Sequence, residues 1–178
     1  MNGPEWTIRQ ASVDEIERLV DLRMAMFEAM DLLDEENRER TRDDCLAYFE
    51  ATLPTEVFRV WVACALDTDG TGIQRGPSSD ETGTREGELI ASIGLVIHSI
   101  PPSMFNRVGK EGYIMNLVTL PDWRRRGIAR ALLEHILAVL RSEAVPIASL
   151  HASRDGLNLY EELGFKTKED LPEMRLPL

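Results

Sequence analysis

Residues 121–130 read PDWRRRGIAR and run without a break into ALLEHILAVL, residues 131–140. Ile128, Leu132, Leu133, Ile136, Val139 and Leu140 recur at helical spacing, so a helix with one buried side starts from Gly127. Arg124, Arg125 and Arg126 then stand at its N-terminal end. Aligned peptide dipoles make that end positive, so cations there cost roughly 0.3–1 kcal/mol unless something compensates. They are either solvated surface residues or one wall of an anion site. The preceding YIMNLVTL, residues 113–120, reads as a strand. A strand, a short glycine-containing loop and a helix N-terminus present unpaired amides and a favourable dipole to one point, and a polyphosphate bound there would reverse the cost of the arginines. A nucleotide-hydrolysing G-x-x-x-x-G-K-[ST] loop is excluded, because RRRGIAR has neither the lysine nor the hydroxyl. A G-x-G-x-x-G dinucleotide turn fits poorly, with one glycine in a turn late in the chain.

The rest of the chain frames this loop. At 178 residues, 43% hydrophobic and 29% charged, it has the size and composition of one globular domain. We take 1–178 as that domain, with a flexible hairpin insertion at about 67–87 that is rich in Gly, Ser, Thr and Asp. The net charge of −11 argues against nucleic acid held on a general basic surface, and makes the arginine run a local feature. No stretch reaches the roughly eighteen uninterrupted apolar residues of a membrane span, and MNGPEWTIRQ lacks a secretory pattern, so a cytoplasmic location is expected. Cys45 and Cys64 are isolated, and no metal is expected.

Outward from the loop, Trp6–Arg9 reads as a strand and Ser12–Glu15 as a capping box. A first helix carries Ile16, Leu19, Val20, Met26 and Phe27, and a second, opened by Thr41, carries Leu46, Phe49 and Leu53. VFRVWVACAL, residues 57–66, and ELIASIGLVIH, residues 88–98, read as a strand hairpin. After the arginine helix come a strand at 147–152, a helix capped by Ser153 and closed by Gly164, and strands at 165–167 and 174–176. The fold class is α/β (α+β): a twisted mixed sheet of about six to seven strands flanked by about four helices.

Residues 116–133, NLVTLPDWRRRGIARALL, resemble the central motif of the GNAT superfamily of N-acetyltransferases, whose acetyl-CoA loop follows [QR]-x-x-G-x-[GA]. LHASRDGLNLYEELGF, residues 150–165, resembles the closing strand and helix of that family, with its L-Y-E-x-x-G-F run. The resemblance implies a single GNAT-like domain using acetyl-CoA as cosubstrate. The amides of Arg124, Arg125, Arg126, Gly127, Ile128, Ala129 and Arg130 would take the CoA pyrophosphate, and Leu117, Val118 and Thr119 would run beside the pantetheine arm. An amide near Leu117 or Val118 would polarise the thioester carbonyl. Ser153, where relatives often have Asn, is a further CoA contact, and Tyr160 stands where the family has its general acid, although the same ring also suits core packing.

The implied reaction is direct transfer to a primary amine in a ternary complex. A cysteine outside the cofactor motifs disfavours an acyl-enzyme. Relatives often place a carboxylate on the central strand, where this chain has Met115 and Asn116. That departure leaves a non-catalytic CoA-binding regulatory module as the rival reading, and leaves the base open among Glu28, His98, His151 and water. The acceptor is a small-molecule or protein amine. The acidic run Asp31–Glu36 points to a cationic one, such as a polyamine, an aminoglycoside or a lysine side chain, although acidic loops are commonly just solvated. No nucleic acid or membrane partner is expected, and a homodimer is left open.

Overall fold

Alternation of side chains sets the middle of the sheet. The computed structural model describes residues 5–66, 86–167 and 176. It arranges five strands in the order β1 (Trp6–Gln10), β2 (Arg59–Leu66), β3 (Glu86–Ser99), β4 (Lys110–Thr119) and β5 (Ile147–Leu150). The first four pair antiparallel, and β5 joins β4 in parallel. In β2, Val60, Val62 and Cys64 enter one apolar cluster while Trp61, Ala63 and Ala65 enter another. The strand is therefore covered on both faces, as a period of two with apolar residues at every position requires.

The first cluster is closed by α1 (Ile16–Ala29) and α2 (Arg38–Thr52), through Leu19, Val20 and Phe49. The second is closed by α3 (Ile128–Ser142) and the short α4 (Leu157–Glu162), through Leu132, Leu133, Ile136, Leu140 and Tyr160. The entry to α1 is fixed by Glu15. Its buried carboxylate accepts the Ser12 N–H at 3.0 Å and two Arg9 N–H groups at 2.7 and 2.8 Å. Burial alone would raise its pKa, but the Arg9 pairing and the Ser12 bond outweigh it and hold the carboxyl below its ordinary value.

The structure corrects several sequence expectations. Helix α2 begins at Arg38 rather than Thr41, because Asp34 accepts the Asn37 amide at 2.8 Å and the Thr41 N–H already reaches Asn37 O at 2.8 Å. Glu86 and Gly87 belong to β3 rather than to the insertion, whose residues 67–85 lie outside the described residues. At Gly87 a Cβ would meet Ala65 O at 2.5 Å, a contact only glycine allows.

Residues 165–167 form no strand: the Gly164 amide bonds to Glu161 O and the Phe165 amide to Tyr160 O, both at 3.0 Å, with Gly164 at φ 92°. That is a left-handed helix close, and it takes the amide a strand would need. The strand expected at 174–176 lies outside the described residues except for Leu176, which is in no strand. Five strands rather than six or seven are therefore present among the described residues. Helix α4 starts at Leu157, after a turn in which Ser153 Oγ accepts the Gly156 N–H at 3.2 Å.

Candidate active site

Strand β4 changes partners halfway. Its pairing with β5 ends at Ile114↔Leu150, and Met115–Thr119 continue with β3 alone. Against β3, Gly94 lies opposite Met115 and Ser92 opposite Val118, so β4 carries one extra residue in that interval. Asn116 sits at φ 55° there, and Asn is among the residues that best tolerate the left-handed region. A bulge increases the local twist and ends the regular ladder. The result is an opening between β4 and β5, with one edge of Met115–Thr119 unpaired among the described residues.

The opening leads into the arginine loop. A short 3-10 turn, Pro121–Trp123, is followed by Arg125 at φ 63° and Gly127 at φ 79°. Two left-handed residues turn the chain here, and the Arg124 N–H is taken by Pro121 O at 3.2 Å, so of the expected pyrophosphate amides it is the later ones, from Arg125 on, that remain for an anion. The first turn of α3 contains no acidic residue and has no side-chain cap. A Cβ placed on Gly127 would meet no protein atom within 4 Å, so the space over these amides is open.

The arginines divide their work. Arg124 Nε donates to Thr119 O at 3.2 Å, tying the loop to the end of β4. Arg126 pairs with Glu5 at 2.8 Å, donates to Asp122 O at 3.1 Å and lies 4.7 Å from the Trp123 ring centre. Arg130 pairs with Glu162 and so links α3 to α4. Arg125 is exposed, and among the described residues its side chain has no partner. Part of the cost of cations at this helix end is thus met by Glu5 and Glu162. Neither pairing is legible in the chain, because both carboxylates are remote from the loop in sequence.

The expected residues form one strip, Leu117–Thr119 followed by Arg124–Arg130. Val118 faces the α1/α2 side and Leu117 the α3/α4 side. The Thr119 hydroxyl is buried and is the one such side-chain atom without a hydrogen-bond partner among the described residues. Both the orphaned hydroxyl and the open cradle at Gly127 suit an extended, hydrogen-bonding, phosphate-bearing ligand. The Ser153 hydroxyl serves the turn before α4, through Gly156.

Tyr160 is 8% exposed, in the same apolar cluster as Ile114, Leu117 and Ile128, and packs edge-on against Phe165 at 6.0 Å. Burial raises its pKa, and its hydroxyl has no hydrogen-bond partner among the described residues. Gly156 makes room for it, since a Cβ there would lie 2.7 Å from the ring.

The three base candidates are not brought together. Glu28 is exposed near the end of α1 and ion-paired with Arg38. His98 stands opposite Glu111, before the bulge, its ring tilted by 45° to that of Tyr113 with the centres 6.1 Å apart. His151 follows the last paired residue of β5, at the start of the opening, with Nδ1 2.6 Å from the Tyr113 hydroxyl. Sequence reading missed Tyr113 in this role, and also Arg23, which donates to Asn116 Oδ1 from α1. No short motif joins residues that only the sheet makes neighbours. No group of metal-ligating side chains occurs among the described residues, nor is any helix there long and apolar enough to cross a membrane.

The bulge in β4, its unpaired edge and the uncapped start of α3 together present hydrogen-bonding groups suited to an extended anionic ligand. The chain belongs to the GNAT acetyltransferase family, whose sequence model matches residues 38–165. Among curated proteins it is 32% identical over 93 residues to glucosamine 6-phosphate N-acetyltransferase of Trypanosoma brucei brucei, covering 52% of this chain and 59% of that one. The matches to curated relatives span between 7% and 59% of those proteins' lengths. Among solved structures, a GCN5-related N-acetyltransferase from Ralstonia eutropha JMP134 superposes with a TM-score of 0.76 at 26% identity, over 97% of this chain and 98% of that one. A predicted acetyltransferase with acetyl-CoA from Clostridium acetobutylicum superposes with a TM-score of 0.73 at 21% identity, over 96% of both chains.

Proposed function

We propose that this chain, as one domain over residues 1–178, uses acetyl-CoA to acetylate a primary amine by direct attack in a ternary complex. The observation that carries the reading is that the unpaired edge of Met115–Thr119 is followed in the chain by an uncapped helix start at Gly127 with room beside it. Acetyl-CoA supplies the acetyl group as a thioester. The amides of Arg125–Arg130 hold its pyrophosphate, the Arg124 N–H being already donated to Pro121 O at 3.2 Å. Leu117–Thr119 bind the pantetheine arm as a neighbouring strand would be bound, with the Thr119 hydroxyl gaining its missing partner.

An amide at Leu117 or Val118, freed from a regular ladder by the bulge, stabilises charge on the carbonyl oxygen. Tyr160 donates the proton that the departing thiolate takes up, because its raised pKa keeps the phenol protonated. Among the base candidates, His151 is best placed to accept the amine proton, at the mouth of the opening and oriented by Tyr113. Met115 and Asn116 occupy the places where a strand carboxylate would otherwise serve. A cytoplasmic setting, where acetyl-CoA is available, suits this chemistry.

The test is calorimetric titration with acetyl-CoA, followed by thiol release across a panel of amines. Micromolar binding and amine-dependent release of CoA are expected. No binding at millimolar acetyl-CoA refutes the proposal, and binding with no release for any amine class favours a regulatory CoA-binding module.

A further inference from the structure

Helix α1 packs on β4 and brings Arg23 to the bulge. One guanidinium N–H of this partly buried residue donates to Asn116 Oδ1, and its Cζ lies 4.5 Å from the Phe27 ring centre. Arg9, Arg38, Arg42 and Arg59 each have a carboxylate partner. Arg23 has none among the described residues, and most of its N–H donors are unused. A guanidinium partly withdrawn from water without a counter-charge is destabilising, and an anion whose two oxygens take two of its parallel N–H groups removes that cost.

The location narrows the choice of anion. Arg23 reaches the residue at which β4 departs from regular pairing, while His151 and Tyr113 stand at the end of the β4–β5 ladder. In the reading above this is where the amine must arrive. The acidic run that hinted at a cationic amine is partly accounted for structurally: Asp34 caps α2 through the Asn37 backbone and side chain, both at 2.8 Å.

We propose that the acceptor is a small amine that also carries an anionic group, a carboxylate or a phosphate, and that Arg23 binds this group with its unused donors while Phe27 fixes the guanidinium plane. The inference rests on the acetyl-transfer reading. The trypanosomal relative is named for an amine of this kind, glucosamine 6-phosphate.

The competing role for Arg23 is to hold Asn116 in its left-handed conformation, which would affect all acceptors alike. The test compares matched pairs, glucosamine 6-phosphate with glucosamine and glycine with glycinamide, plus spermidine as a cationic amine. Each is assayed by CoA release and by calorimetric binding to the CoA-loaded protein. The glucosamine pair reports on phosphate and the glycine pair on carboxylate.

Wild type should favour the anionic member of at least one pair by about 10- to 100-fold, the worth of a charge-assisted hydrogen bond or two. Arg23→Gln should bring that preference near unity while leaving the KM for acetyl-CoA unchanged. Arg23→Lys, which keeps the charge and loses the fork, should retain part of it and serves if Arg23→Gln does not fold. Equal losses for both members of a pair, or a wild-type preference for glucosamine, glycinamide or spermidine, overturn the proposal. So does the absence of anionic-amine binding to the CoA-loaded protein. Failure to bind acetyl-CoA at all refutes the underlying transfer reading instead.

Discussion

Replacing Gly127 with alanine separates what the fold needs from what the cofactor needs. Gly127 sits at φ 79°, ψ 0°, where an L-residue is strained by roughly 1–2 kcal/mol. No protein atom would lie within 4 Å of the new methyl, so no clash adds to that cost. For a chain of this length, about 1–2 kcal/mol corresponds to a fall in Tm of roughly 2–8 °C. The methyl would instead occupy the open space over the first amides of α3. If the pyrophosphate lies there, one or two charge-assisted hydrogen bonds are lost, about 1.5–3 kcal/mol each, which weakens acetyl-CoA binding by roughly 10- to 1,000-fold or more.

Gly112→Ala is the control, since its methyl would lie 2.4 Å from Leu140 Cδ2, at the far end of α3 from the loop, and should lower Tm by overpacking. Thermal melts and calorimetric titration of both variants give the two readouts. A Gly127→Ala protein that melts a few degrees lower yet binds acetyl-CoA as wild type does would refute the placement of the pyrophosphate.

Tyr160→Phe keeps the ring that packs on Phe165 and removes the hydroxyl. The turnover number should fall about 10- to 1,000-fold with acetyl-CoA affinity and Tm nearly unchanged, and unchanged turnover would assign the ring to packing alone. Thr119→Val removes a buried hydroxyl that has no partner among the described residues. Thermal stability should hold or rise by up to about 1 kcal/mol while acetyl-CoA binds severalfold more weakly, and a stability loss without a binding loss would mean the hydroxyl serves the fold. Glu15→Gln removes the charge paired with Arg9 and should cost about 1–3 kcal/mol at neutral pH by denaturant unfolding. Because the folded-state pKa is depressed, that stabilisation is fully present above the ordinary value of 4.5 and is lost as pH falls through the lower folded value. The gap between wild type and variant should therefore close in acid, and a gap independent of pH would show that shape rather than charge matters at this site.

Hydrophobic periodicity is a local quantity, and it was sufficient for the long elements. The buried residues of α3 and the strand character of β2 were readable because each follows from its own few turns or pleats. The arginine loop was readable for the same reason, since glycine spacing, the strand before it and the helix after it lie within one short segment. Element ends were less legible. Phe165–Thr167 has strand character, yet the Phe165 amide is taken by Tyr160 O once Gly164 turns left-handed. Only the tertiary structure decided which distant groups meet. The bulge at Asn116 depends on the register against β3, and the opening beyond Ile114 depends on where β5 stops. Arg23 at Asn116, Tyr113 at His151 and Glu5 at Arg126 join residues separated by 93, 38 and 121 positions. Their side chains carry no shared period or spacing, and chain folding alone brings them within reach.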